Sequence, residues 1–201
     1  MKPYYDKDGI TIYHGDCREI LPTLPKVDLV LTDPPYGVGL AKWDADLVAH
    51  DWLTDARAKA DLVLFTPGIA NLHKYPAPDW VLCWFKPGST RRNGTGGFNH
   101  WEPVLQFGKH KWMVDAINLP DCANHAEYAG GHPCPKPLAL ARWLLSATQE
   151  SGQVIDPFMG SGTTLVAARN LNRRAIGIEI EERYCEIAAR RLAQGLLPME
   201  A

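Results

Sequence analysis

The chain has no apolar run as long as a membrane span requires, and its opening residues, MKPYYDKDGI, lack the apolar core of a secretory leader. Cysteine is scarce: five residues, odd in number and scattered, which disfavours a disulfide framework and fits a reducing compartment. A cytoplasmic protein is expected. There is no internal repeat, low-complexity tract or clear linker, so residues 1–201 are expected to form a single domain. Neither sign of charge dominates: 21 Lys and Arg stand against 23 Asp and Glu, a formal net charge of −2. That balance excludes a protein that coats nucleic acid through bulk positive charge.

Several site signatures are also missing. A phosphate-binding P-loop would need a Gly-Lys-Ser/Thr ending, and a serine nucleophile elbow would need GxSxG; neither occurs. Cys122, His125, His132 and Cys134 are acceptable zinc ligands, but their spacing matches no familiar zinc pattern, so no metal is expected.

What is present is an alternation. Seven segments read as strands: 9–16, 27–33, 61–67, 79–86, 101–108, 152–158 and 173–180. Between several of them, Ala45–Ala60, Pro137–Glu150, Thr163–Asn172 and Glu181–Gln194 carry helical spacing. Strand alternating with helix predicts an α/β, doubly wound, largely parallel sheet. Segments 87–100 and 119–137 are rich in Gly, Pro and Asn and read as long surface loops.

The stretch VIDPFMGSGTTLVAARNLNRRAIGIEI reads as strand, glycine turn, helix and second strand, the pattern of a cofactor-binding unit. Gly160 and Gly162 let the backbone turn tightly beside a ligand, and Glu179 can accept both hydroxyls of a ribose. The three-glycine dinucleotide fingerprint would need glycine where Leu165 stands, which disfavours a diphosphate ligand. Asp156 suits a ligand bearing positive charge; the alternative is a turn cap on its own backbone.

Asp28–Gly39, DLVLTDPPYGVG, ends an apolar strand in an acid, two prolines and a tyrosine. DPPY is expected by chance in about one chain of this length in a thousand. Together, DPPY, DPFMGSGTT and HPCPKP resemble the DNA amino-methyltransferases, which methylate the exocyclic amine of adenine or cytosine with S-adenosylmethionine. DPPY early and DPFMGSGTT late is the order of the circularly permuted beta group. The resemblance covers nearly the whole chain and implies a seven-stranded Rossmann-like S-adenosylmethionine-dependent fold. It implies that Gly160, Ser161, Gly162 and Thr163 line the cofactor loop, that Asp156 and Phe158 flank it, and that Glu179 holds the ribose. Asp16 matches the adenine-contacting position of the cofactor site, its alternative being a helix cap for CREIL. Lys136, with His132, matches the segment that meets the methionine carboxylate. The usual form of that segment is closer to HPTQKP, so Cys134 and Pro135 are departures.

The resemblance also implies a chemistry for Asp33, Pro34, Pro35 and Tyr36. An exocyclic amine is a poor nucleophile because its lone pair is delocalised into the ring. The Asp33 carboxylate and the Pro34 carbonyl can accept its two hydrogens and localise that pair as positive charge develops on nitrogen. Pro35 forces Pro34 into an extended conformation, which fixes the carbonyl direction. Tyr36 offers a face for stacking a flipped base.

Between Lys86 and Lys111 five basic residues (Lys86, Arg91, Arg92, Lys109, Lys111) face one acid, Glu102, with Phe98, Trp101, Phe107 and Trp112 interleaved. Arg91, Arg92, Lys109 and Lys111 are therefore expected to contact DNA. With so little chain outside the core, loops 87–100 and 108–137 are the candidate target-recognition region, and Trp43 should border the target base. The resemblance implies a bacterial or bacteriophage protein of the restriction-modification type, with adenine favoured because Asp heads DPPY. A cytosine-N4 enzyme and a catalytically silent DNA- and cofactor-binding module stay open. So do a homodimer and a partner nuclease.

Overall fold

The computed structural model describes residues 1–37, 51–90, 92, 94–110, 114–120 and 136–194. Nine strands form one sheet: β1 (Tyr5–Lys7), β2 (Ile10–His14), β3 (Val27–Thr32), β4 (Ala60–Phe65), β5 (Trp80–Phe85), β6 (Trp101–Gly108), β7 (Ala116–Asn118), β8 (Val154–Asp156) and β9 (Ala175–Glu179). Their spatial order is β1-β2-β9-β8-β3-β4-β6-β5-β7. All seven expected strands are present. The two additions, β1 and β7, are three-residue strands at the two edges of the sheet.

Strands β2, β9, β8, β3 and β4 run parallel to one another, while β1 is antiparallel to β2 and β6 is antiparallel to both β4 and β5. The central parallel strands are buried on both faces, so they read as nearly continuous apolar runs. Helices α3 (Leu138–Leu145), α4 (Thr163–Asn170) and α5 (Glu182–Ala193) pack on one face with Leu29, Leu31, Leu62 and Leu64. Helices α1 (Cys17–Ile20) and α2 (Asp51–Lys59) cover the other with Val30, Val63, Phe65 and Ile178. The sheet is thus doubly wound. No helix among the described residues is long and apolar enough to cross a membrane.

Chain direction fixes where a ligand can sit. From β8 the chain moves outward through α4 to β9, and from β3 it moves outward the other way through α2 to β4. Loops therefore part at the carboxyl ends of β8 and β3, the crevice where open α/β sheets bind ligands.

Arg173, only 3% exposed, ties the α3 side to the β8–β9 region. It donates to the carbonyl of Leu145 at the end of α3 (2.5 Å), to the carbonyl of Gly152 (3.0 Å) and to the hydroxyl of Thr148 (2.7 Å). Arg173→Met should remove these three buried bonds and lower the unfolding free energy by about 2–4 kcal/mol. Urea denaturation monitored by tryptophan fluorescence measures it.

Candidate active site

Five neighbouring parallel strands each deliver a polar residue to one edge of the sheet. In spatial order these are Asp16 just after β2, Glu179 ending β9, Asp156 ending β8, Asp33 just after β3 and Thr66 just after β4. The register is tight: His14 pairs with Glu179 and Thr32 with Phe65, so Asp33 and Thr66 leave the sheet side by side. The sequence-derived cofactor and DPPY residues that are described thus converge on one edge.

On the β8–β9 side, burial shapes the chemistry. Glu179 accepts from the Gly160 N–H (2.9 Å) with one oxygen and from the Glu181 N–H (2.8 Å) with the other, so it holds the glycine loop. Burial pushes its carboxyl up to about 7. Gly160 and Gly162 both adopt positive φ, 49° and 80°. At Gly162 a side chain is doubly disfavoured, because an added Cβ would stand 2.7 Å from that of Ala188 on α5. Asp156 accepts from the Thr32 hydroxyl (2.6 Å) and from the Phe158 N–H (3.2 Å), so the turn-capping role weighed from sequence is present. Burial pushes its carboxyl up to about 6. Phe158 packs edge-on against Trp52 at 5.4 Å. Asp16 caps α1 by accepting from the Arg18 N–H (2.9 Å), and the Arg18 guanidinium holds its carboxyl below the usual range.

On the β3–β4 side, Asp33 is the hub. One carboxylate oxygen accepts from the Tyr36 hydroxyl (2.7 Å) and from Thr66, the other from Lys136. Lys136 Nζ also lies 3.1 Å from the Tyr36 hydroxyl and 5.0 Å from its ring centroid. Burial, reinforced by the Asp33 charge, raises the Tyr36 phenol well above its ordinary value, so it stays protonated and donates. Asn71 donates to the carbonyls of Tyr36 (2.9 Å) and Pro67 (3.1 Å), fixing the turn behind. The Tyr36 ring also packs on Gly68, where an added Cβ would come within 3.1 Å. Lys136 immediately precedes Pro137 at the start of α3 and meets Asp33; the resemblance implied the methionine carboxylate as its partner.

The basic segment divides. β5 ends at the active edge, and residues 87–100 leave from it and return to β6, closed at the base by the Lys86 N–H on the His100 carbonyl (2.7 Å). Arg92 pairs with Phe98 across this hairpin, and Arg92, Phe98 and Trp101 are exposed. β6 runs the opposite way, so Gly108 lies beside Leu62 and Lys109 emerges at the far edge, roughly 15 Å from Asp33 along the strands. The structure does not bring Lys109 to the site. Arg91, Lys111, His132 and Trp43 lie outside the described residues, as do Cys122, His125 and Cys134.

Thr32, Thr66 and Asn71 escaped sequence reasoning. A signal existed for Thr66: DLVLTDP (28–34) and DLVLFTP (61–67) are near-copies that pair in register, which sets Thr66 beside Asp33.

The family model described as DNA methylase matches residues 80–190, more than half of the chain, and the chain belongs to that family. It is 28% identical to the type II methyltransferase M2.LlaDCHI of Lactococcus lactis subsp. cremoris, over 96% of this chain and 93% of that protein. It is 27% identical to the DNA adenine methyltransferase YhdJ of Escherichia coli K12, over 94% and 84%. Among solved structures, M1.HpyAVI in complex with SAM superposes with a TM-score of 0.75 at 27% identity, covering 91% of this chain and 98% of that one.

The raised carboxyls give a pH test. Glu179 and Asp156 bind protons more tightly folded than unfolded, so their contribution to stability is full below about pH 4 and is lost as pH rises through about 6 and about 7. The unfolding free energy should fall between about pH 4 and about pH 7 and level off above, and Glu179→Gln should flatten the upper part of that fall. Urea titrations across this range check both.

Proposed function

We propose that the chain transfers a methyl group from S-adenosylmethionine to the exocyclic amine of adenine in DNA. The observation that carries this is the Asp33 carboxylate, held by Thr66, Tyr36 and Lys136 at the carboxyl end of β3, one strand from the glycine loop after β8. A carboxylate fixed by three donors needs no reorganisation to accept the amine hydrogens, which is what a transition-state acceptor requires. The sheet forms a single layer with a core on each face, which supports one catalytic domain. The order of DPPY before DPFMGSGTT supports the permuted group.

In this reading Glu179, Asp156, Phe158 and the loop Gly160–Thr163 hold the cofactor, which supplies the electrophilic methyl group. Asp16 borders the adenine end. Asp33 and the Pro34 carbonyl draw the target amine toward tetrahedral geometry, Pro35 sets that carbonyl and Tyr36 flanks the base. Arg92, with Phe98 and Trp101 on the hairpin at the same edge, faces the DNA. Adenine is favoured by Asp at the head of DPPY and by the similarity to YhdJ, whose name is DNA adenine methyltransferase.

Tritiated cofactor and DNA from a methylation-free host test the reaction, and digestion to nucleosides identifies the base. Label in N6-methyladenine is expected. Label in N4-methylcytosine would move the reading to that alternative, and cofactor binding without any label would leave a silent binding module.

Two variants separate the roles at the target site. Asp33→Ala should keep its cofactor affinity and lose methyl transfer by a factor on the order of a thousand. Thr66→Val removes one donor to Asp33 at nearly constant volume and should lower kcat about tenfold with the cofactor KM unchanged.

A further inference from the structure

Arg191 lies on α5, outside the glycine motif, yet its guanidinium reaches the back of the loop. One nitrogen donates to the carbonyl of Ser161 (2.6 Å), to its hydroxyl (3.2 Å) and to the hydroxyl of Thr163 (3.3 Å). Burial pushes this guanidinium down from its ordinary value. Ser161 and Thr163 are themselves buried. The grip is reciprocal. Arg169, near the end of α4, donates back to carbonyls of α5 and its exit: to Leu192, to Arg191 (3.4 Å) and to Gln194 (3.0 Å). On the same helix as Arg191, Ala188 packs against Gly162, leaving no room for a side chain there.

We propose that Arg191 is a positioning residue for the cofactor loop: it fixes the Ser161 peptide and the first residue of α4 from behind, while Arg169 fixes the helix that carries it. Glu179 secures Gly160 at one end of the loop and Arg191 secures Ser161 and Thr163 at the other. A glycine turn is permissive by nature, so its free conformations must be removed by something outside it. A guanidinium suits the task because it keeps its charge when buried, where a buried ammonium loses its proton readily. The inference rests on this loop holding the cofactor.

The test compares Arg191→Met and Arg191→Lys with the unaltered protein in two measurements. Amide hydrogen exchange without cofactor reads the loop itself. Exchange at residues 159–166 should accelerate about tenfold or more in Arg191→Met, less in Arg191→Lys, with the β3 and β4 amides unchanged. Calorimetric titration with S-adenosylmethionine should show a dissociation constant raised about tenfold in Arg191→Met and partly restored in Arg191→Lys, with DNA affinity within about twofold of the original. Loop exchange and cofactor affinity unchanged in both variants would overturn the proposal. So would equal weakening toward cofactor and DNA, which marks a general structural loss. Should Arg191→Met fail to fold, Arg191→Lys decides, and unaltered exchange and affinity in it overturn the proposal. An unaltered protein that binds no cofactor, while loop exchange still responds to Arg191, would instead retire the cofactor reading alone.

Discussion

The buried hydrogen bond from Thr32 to Asp156, 2.6 Å long, spans the point where the two halves of the sheet diverge. β8 and β3 are neighbours in space but lie more than a hundred residues apart in the chain, and their outgoing connections leave in opposite directions. Backbone pairing between them is short, with Leu29 opposite Val154 and Val30 opposite Ile155. The side-chain bond extends that pairing to the strand ends, where the glycine loop and DPPY begin. Asp156 is the acceptor on one side, and Thr32 is the residue just before Asp33 on the other. A shift of either strand would break a buried bond and separate the two carboxylates at once. The distance between the proposed cofactor and target sites is thus set by the register of two strands.

How much of this was readable from the chain follows from burial. The central strands carry their signal in nearly every residue because they are covered on both faces. β1 and β7 have three residues each and largely exposed patterns at the sheet edges, so pairing rather than composition creates them. The glycine loop, Glu179 and Asp33 were legible because their residue types are unusual at strand ends. Thr66 and Arg191 were not. A threonine after a strand and an arginine on an amphipathic helix are ordinary in any sequence, and only the register of β3 against β4, or the packing of α5 on the loop, gives them partners. Lys109 is the converse case: charge pattern grouped it with Arg92, but the antiparallel course of β6 sends it to the far edge. Composition carries no information about strand direction.

Lys136 changes the electrostatic picture of the target site. Asp33 stands beside an ammonium as well as two hydroxyls, and Glu102 pairs with the buried Lys86 at 3.5 Å on the adjoining strands. Among the described residues, the side chains around the proposed target site are therefore closely balanced in charge. That balance suits direct methyl transfer, in which the sulfonium loses its positive charge as the amine nitrogen gains it. A pocket with a large negative excess would hold the cationic cofactor tightly but gain little as the charge moves, since only differential stabilisation accelerates the step.

What distinguishes the two ends of that path is therefore local geometry rather than total charge. At the cofactor end Asp156 and Glu179 are deeply buried, with carboxyls raised to about 6 and about 7, so each is costly to ionise until a ligand supplies polar partners. At the target end Asp33 is only partly buried, and its donors hold both oxygens in fixed directions. An acceptor oriented in advance can respond to charge arriving on nitrogen without waiting for rearrangement. The same sheet edge thus offers carboxylates that gain most from being covered by a bound cofactor, and one strand further on, a carboxylate already ordered for the step that follows.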